Sequence, residues 1–583
     1  MPTLEWIGKE KVINHHQDVP YRVLERQYSY DEQGQHAEDN GSENMVIHGD
    51  NLEALKSLLP RYEGKVKCIY IDPPYNTGNE GWVYNDNVND PKIKKWLGEV
   101  VGKEGEDLSR HDKWLCMMYP RLKLLYKLLA DEGVIFISID DAEYANLKLV
   151  CDEIFGSSCF VSNVSWQRTY STRNDSKGIV NEVEHILVYS KRPNWSPNKL
   201  PRTQAMDSKY KNPDNDYAPW RSDNPYAADA NTHQGMVYAI QHPFTGKLLY
   251  PSNGSHWRYQ QETMLESMNE WTRYELKDLQ DKKERAHICG VAVEDVRPEV
   301  KAIVLADPLE IAAENAQRVL ERGQWPRFFF TKNGKGGIAR KTYLENVGGR
   351  LPTNFWPFAE TGHTDEAKKE MLAIFDGKAT FDTPKPSRLL EFVLRIAGDE
   401  NTLILDSFAG SGTTAHAVLN MNKADGGNRK FILIEMMDYA DSITAERVKR
   451  VIKGYGEDKK AVPGTGGSFS YYELGEPLMI GDNLNEAVGA DKIREYIWFT
   501  ETKENFQNPN ADKPYYLGST AQTGYYFFYE PNRACVLDYK FLSTITVKAD
   551  NYVIYADRCA INTDDLQKLK VIFKKIPRDI TKL

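Results

Sequence analysis

Cysteine is scarce in this chain: 7 among 583 residues, scattered singly with no C-x-x-C pair. Neither a disulfide framework nor a thiolate zinc site is indicated, and no metal is expected. A reducing cytoplasm is the compartment that fits. No apolar run approaches the length of a membrane span, and Met1 to Lys11 is polar, so neither a membrane anchor nor a secretory leader is expected. An excess of positive charge is also missing. Lys and Arg number 74 against 84 Asp and Glu, a net charge of -10, which argues against a uniformly basic coat for nucleic acid. A local basic face remains open, and phosphate binding requires no more. No Walker phosphate loop and no nuclease constellation is visible. The stretch Gly334 to Thr342 lacks the glycine before Lys341 that such a loop needs, and it reads as a hairpin turn.

The most informative stretch is Cys68-Ile69-Tyr70-Ile71-Asp72-Pro73-Pro74-Tyr75-Asn76-Thr77-Gly78. An apolar β-rich run ends abruptly in an acid, two prolines and an aromatic, as a buried parallel strand does where it meets a loop at its carboxyl end. Open α/β sheets bind ligands at that edge. Two prolines stiffen the loop and remove two amide donors, which leaves carbonyls free and holds Tyr75 out on a rigid post. The carboxylate of Asp72 and the carbonyl of Pro73 can each accept one N–H of an exocyclic amine while Tyr75 stacks on the ring. The nitrogen lone pair is then turned toward an electrophile. Taken alone, the same residues also suit a proline turn in which Asp72 caps the next helix.

A chain of this length implies two or three domains. Residues 1–43 are polar and read as a lead-in with little core. A short strand then breaks at Gly49, and Asp50 either caps the following helix or faces a ligand amine. Residues 79–110 are rich in Asn, Asp, Gly and Lys and suggest a flap over the site. The helix from about Asp112 to Ala130, the strand Val134 to Ile139, a helix to Phe155 and the strand Glu184 to Ser190 imply βαβαβ alternation and a parallel, doubly wound sheet. His185 reads as a satisfied residue of that last strand rather than a base. Between about 192 and 350 basic residues alternate with aromatics, as in Trp220-Arg221, Trp257-Arg258-Tyr259 and Arg327 to Lys332. Basic side chains there can meet phosphates, and aromatics can stack on bases. A generic insertion with a charged surface has the same composition.

The α/β texture then resumes. The strand ending at Leu405 runs into Asp406-Ser407-Phe408-Ala409-Gly410-Ser411-Gly412-Thr413, and the next strand ends in Glu435. Glycines permit close approach by a ligand, and an acid about twenty residues past such a turn is placed to bridge ribose hydroxyls. The turn departs from G-x-G-x-x-G, so a cofactor without phosphates fits better. Residues 454–475 read as a linker, and the tail as a small α/β domain for a partner or for dimerisation.

In combination these segments resemble the β-class amino-methyltransferases of DNA, in which the D-P-P-Y loop precedes a target-recognition insertion and the cofactor turn comes last. Within that class the chain looks most like the modification (Mod) subunits of type III restriction systems. Ile47 to Leu52, Tyr70 to Gly78, Trp114 to Leu122, Ser138 to Asp141 and Lys385-Pro386 carry the resemblance. It implies an α/β fold, a doubly wound Rossmann-like sheet with an inserted target-recognition domain and a small C-terminal α/β domain. The expected division is a lead-in over 1–43, a catalytic half over 44–191, target recognition over 192–350, a cofactor half over 351–460, and a linker with partner domain over 461–583. S-adenosylmethionine is the implied cofactor, and adenine N6 of a flipped base the acceptor, because Asp72 stands where N4-cytosine enzymes more often have Ser.

By the family pattern Asp72, Pro73, Pro74 and Tyr75 are catalytic. Asp406, Phe408, Ala409, Gly410, Gly412, Thr413 and Glu435 cradle the cofactor, with Asp50, Lys385 and Pro386 closing it from the other side. Arg168 and Arg173 are candidates near the base, and Arg327, Lys332, Lys335, Arg340 and Lys341 for other DNA contacts. Double-stranded DNA is the expected partner, with a homodimer and a separate helicase or nuclease subunit beside it. An N4-cytosine enzyme, an RNA or protein-glutamine methyltransferase, and a recognition scaffold active only with a partner are the alternatives.

Overall fold

The computed structural model describes residues 3–77, 110–170, 179–504, 506–507 and 513–578. The stretch 79–109, where a flap was expected, and Arg173 lie outside the described residues. The chain divides into two compact units, one of residues 199–351 and one of residues 1–198 with 352–583.

The larger unit is built on an eleven-stranded sheet. Its strands lie in the order Phe355–Trp356, Phe160–Gln167, Val183–Ser190, Leu129–Ile139, Val66–Ile71, Leu403–Asp406, Lys430–Glu435, Met45–His48, Phe469–Pro477, Arg22–Asp31, Gly34–His36. From Leu129–Ile139 to Phe469–Pro477 every neighbouring pair is parallel. Strands covered on both faces need apolar side chains throughout, and Ile69, Ile71, Ile135, Ile137, Ile432 and Ile434 are all fully buried. The helix Asn51–Tyr62 starts at Asp50, whose side chain accepts from the amides of Leu52 and Glu53, and Asp140 likewise caps Asp141–Phe155 through the amide of Ala142.

The strand Leu403–Asp406, late in the sequence, lies beside the early strand Val66–Ile71, with Ile404 opposite Cys68 and Leu405 opposite Ile69. From this pair the chain proceeds outward in opposite directions, to Leu129–Ile139 on one side and Lys430–Glu435 on the other. The loops leaving the two carboxyl ends therefore part and open a crevice between them.

Three sequence expectations give way here. The strand Val183–Ser190 is antiparallel to Leu129–Ile139, with Ile135 opposite Tyr189, rather than a further parallel member. Its predecessor is a strand that sequence reasoning missed, Phe160–Gln167, which pairs antiparallel with it, so the two run in opposite directions along the sheet. Residues 1–43, expected as a lead-in with little core of their own, pack into the core of the larger unit. Trp6, Val12 and Val19 are buried, and the ten-residue strand Arg22–Asp31 pairs with Phe469–Pro477 through Tyr28 opposite Tyr471. That second strand also extends the central sheet, so the segment after 461 is not separate from its start. Beyond it, Tyr516–Thr520, Thr523–Phe527, Asn551–Ala556 and Val571–Lys575 form a four-stranded sheet, and Trp498 of the helix Ala490–Thr502 shares a core with Leu517 and Phe527.

The smaller unit has its own core. Ile240–Gln241, Ala302–Leu305 and Tyr274–Lys277 belong to one small sheet, and Phe328–Phe330, Ile338–Tyr343 and Trp220–Asp223 form another. Phe330 lies opposite Ile338, which is the hairpin expected around Gly334. Trp220, Trp257, Trp271, Phe328, Phe329 and Phe330 are buried together, so these aromatics hold the unit together instead of stacking on bases. Among the described residues no helix is long and apolar enough to cross a membrane.

Candidate active site

Asp72 leaves the strand Val66–Ile71 with both carboxylate oxygens engaged. The Tyr75 hydroxyl donates to Oδ1 at 2.6 Å, and the Lys385 ammonium lies 2.7 Å from Oδ2. Lys385 Nζ also approaches the Tyr75 hydroxyl at 2.9 Å and Glu184 Oε2 at 3.5 Å. Tyr75 is thus not held out as a post. It is only 5% exposed, with its hydroxyl turned onto Asp72, because a phenol buried beside a carboxylate and an ammonium gains more from those partners than from solvent. Burial and the Asp72 charge push the Tyr75 phenol well up, so it stays a neutral donor. Burial works against the Lys385 charge, but Asp72 and Glu184 outweigh it and hold the ammonium above the ordinary lysine value.

The rest of the loop is fixed from behind. The Trp114 indole donates to the carbonyl of Pro74 at 2.7 Å. Asn76, at φ 57°, donates to the carbonyl of Arg110 and to Glu143, a buried acid that also pairs with His111 at 2.6 Å. The loop stiffness inferred from two prolines is therefore reinforced by side chains on the helices Arg110–Leu128 and Asp141–Phe155.

Across the crevice, Asp406 accepts from the amide of Phe408 at 3.1 Å and from the Thr414 hydroxyl at 2.5 Å, which shapes the start of the glycine turn. Gly410 and Gly412 have φ of 53° and 79°, and a Cβ on Gly412 would stand 2.9 Å from the carbonyl oxygen of Thr444. Glu435 accepts from the amide of Gly410 at 2.8 Å and from that of Met437 at 3.0 Å, which ties the turn to the tip of the next strand. Burial pushes Asp406 up to about 7 and Glu435 up to about 8.

Beneath the turn sits Arg447, fully buried, which donates to the hydroxyls of Ser411 and Thr413, to Glu370 and to His416 Nδ1. Burial pushes His416 down to about 4, and a neutral ring can accept that bond. Thr413 in turn donates to the carbonyl of Lys385, so the turn touches the residue that grips Asp72. Asp72, Lys385, Asp406, Phe408, Ala409, Gly410 and Thr413 line one cleft. Pro386 starts the helix Ser387–Ala397 and fixes the backbone from which Lys385 projects.

The other site candidates are placed differently. Asp50 caps its helix and faces a second cavity of about 570 Å³, lined also by His48, Arg121 and the residues Met436 and Asp438 that follow Glu435. Its second oxygen lies 3.5 Å from Arg121. Arg168 is half-buried, 3.9 Å from Glu184. In the smaller unit Arg327, Lys332 and Lys335 are exposed, while Arg340 is tied to Asp223 at 2.6 Å. Lys341 is no surface cation: it is 2% exposed and pairs with Asp214 and Asp216, each at 2.5 Å, so it cannot reach a phosphate.

Glu184, Trp114 and Arg447 were missed as site residues by sequence reasoning. Each belongs to a regular strand or helix whose periodicity gives no hint of a polar role. Glu184 stands beside His185, which bonds to Asp141 and Asn163 as a satisfied residue does.

Comparison with known proteins agrees with this geometry. The type III restriction-modification enzyme StyLTI Mod subunit of Salmonella typhimurium is 34% identical over 445 residues, covering 71% of this chain and 58% of that protein. The EcoP15I Mod subunit of Escherichia coli is 28% identical over 474 residues, covering 78% and 66%. This chain thus spans under two thirds of the length of either Mod relative. The type II methyltransferase M.KpnI of Klebsiella pneumoniae is 28% identical over 405 residues, covering 68% of this chain and 81% of that protein. With residues 66–446 matching the N6/N4 methyltransferase family described as DNA methylase, a span that holds both the Asp72 loop and the glycine turn, the chain belongs to that family.

Proposed function

We propose that this chain transfers a methyl group from S-adenosylmethionine to adenine N6 of a flipped-out base in double-stranded DNA, as the modification component of a restriction-modification system. The observation that carries it is the meeting of the Asp72 loop and the Asp406–Gly412 turn in one cleft, joined through Lys385. The residues present fit the cofactor. The Ser407 hydroxyl, at the start of the turn, is buried with no hydrogen-bond partner among the described residues, a polar atom that a bound ligand would satisfy. Asp406 and Glu435 are buried acids at the turn and at the next strand tip, where hydroxyl and amino donors of an adenosine moiety would be received. When bound, the cofactor supplies an electrophilic methyl on sulfonium.

The chain's own part is to orient the acceptor. Asp72 and the Pro73 carbonyl take the two N–H bonds of the amine, and the rigid loop aims the nitrogen, so positioning supplies most of the rate. An amine inside a duplex must first be extruded, which costs a few kcal/mol. The inserted unit of residues 199–351, with exposed Arg327, Lys332 and Lys335, supplies target recognition in this proposal. The C-terminal sheet serves association with a second copy or with a restriction subunit, because the relatives named as Mod are themselves subunits.

The test is transfer of labelled methyl to unmodified genomic DNA followed by nucleoside analysis, with Asp72→Ala beside the native protein. N6-methyladenine that drops by at least about a hundredfold in the variant is the expected result. Methylation on cytosine N4, or none with cofactor bound, would overturn the assignment.

A further inference from the structure

The acceptor face of Asp72 is already occupied by this chain. Lys385 Nζ sits 2.7 Å from Oδ2, 5.2 Å from the centroid of the Tyr75 ring and 5.9 Å from that of Trp166, so an ammonium stands where an incoming amine and its ring must go. A base amine cannot take that place until the ammonium leaves it. An ammonium buried this deeply cannot simply lose its partner, because an unpaired charge away from water costs several kcal/mol. A second anion is at hand. Glu184, 6% exposed on the strand Val183–Ser190, presents Oε2 at 3.5 Å from the same nitrogen, slightly too long for a hydrogen bond and short enough to become one with a small shift. Its other oxygen faces Arg168 at 3.9 Å.

We propose that Glu184 is a positioning residue for the transfer reaction, acting as the seat to which Lys385 withdraws when the base amine replaces it on Asp72. The exchange conserves charge in the pocket. Before entry the ammonium is shared by two carboxylates with Asp72 favoured; after entry Glu184 holds it and Asp72 is free to accept from the amine. No bond to hydrogen is broken in this step. The inference rests on the amine-holding role of Asp72 argued above, and it assigns a role to a residue outside the D-P-P-Y loop and the glycine turn.

The experiment uses the full chain and a duplex carrying 2-aminopurine next to the adenine at a mapped methylation site, so that the target keeps its N6 amine and the probe's fluorescence rises when that adenine leaves the stack. Glu184→Gln, nearly the same in shape, is expected to lower that rise and to reduce kcat/KM for DNA by roughly tenfold or more, with cofactor Kd and thermal midpoint little changed. Glu184→Asp should restore part of the loss. In a Lys385→Met background the added effect of Glu184→Gln should shrink to about twofold or less, since the residue acts through the lysine.

An unchanged fluorescence rise in Glu184→Gln overturns the inference, as does an equal loss in both backgrounds. A loss accompanied by weakened cofactor binding or a lowered melting temperature also overturns it in favour of a purely structural carboxylate. If the native protein methylates no DNA, the functional assignment fails and this inference with it. If the native protein methylates and the variant does so equally well, only the inference fails.

Discussion

Lysine does three different jobs in this chain, and its surroundings decide which. Lys332 and Lys335 stand in solvent, Lys385 is shared by two acids in the candidate active site, and Lys341 is sealed between Asp214 and Asp216 in the inserted unit. Removing one member of a buried ion cluster strands the others, so Lys341→Met is expected to destabilise that unit by roughly 3–5 kcal/mol. Urea unfolding checks this, and the salt dependence of DNA binding measured below the transition should be unchanged. Glu435 offers a pH test at the same scale. Its carboxyl rises from an ordinary 4.5 to about 8 by burial, so the native protein keeps a proton that the unfolded chain has already released. Its contribution to stability is therefore greatest below pH 4.5, declines as pH rises, and levels off above about 8. Thermal midpoints recorded from pH 6 to 8.5 should fall less steeply for Glu435→Gln than for the native chain.

Single elements were the most legible part of the sequence, and relations between distant elements the least. The strand ending at Asp72, the glycine turn and the strand ending at Glu435 are local patterns of apolar run, breaker and cap, and each forms where its residues specify. Whether Val183–Ser190 is parallel or antiparallel is written in no local pattern, because a buried strand is apolar either way. The same holds for Tyr75, whose turn onto Asp72 depends on Lys385, a residue 310 positions away. Lys341 reads as surface charge until two aspartates more than a hundred residues earlier close on it. The glycine turn itself is testable as an element. Gly412→Ala places a Cβ against the Thr444 carbonyl at a φ of 79°, a conformation that costs an L-residue about 1–2 kcal/mol before the clash is counted. Calorimetric titration with S-adenosylmethionine should show affinity reduced by about tenfold or more, and an undiminished affinity would remove the turn from the cofactor site.

At the scale of the whole molecule, a net charge of -10 has to be reconciled with the polyanionic substrate proposed for it. Mean charge repels DNA, so attraction must come from a few cations whose local field exceeds the background within a Debye length, about 8 Å at physiological salt. Arg327, Lys332 and Lys335 are exposed on the same unit, flanking and within the hairpin of Phe328–Phe330 and Ile338–Tyr343, and they are not neutralised as Lys341 is. Each phosphate contact releases condensed counterions, so removing one lowers the slope of log affinity against log salt by about 0.9. Lys332→Ala with Lys335→Ala should therefore flatten that slope by about 2 while leaving the methylated sequence unchanged, because phosphate contacts position a protein on DNA without reading bases. Fluorescence anisotropy across a salt series gives the slope, and methylation mapping gives the sequence. A flattened slope with an altered target would place these lysines on base edges instead, and an unaltered slope would move the basic contact surface elsewhere on the chain.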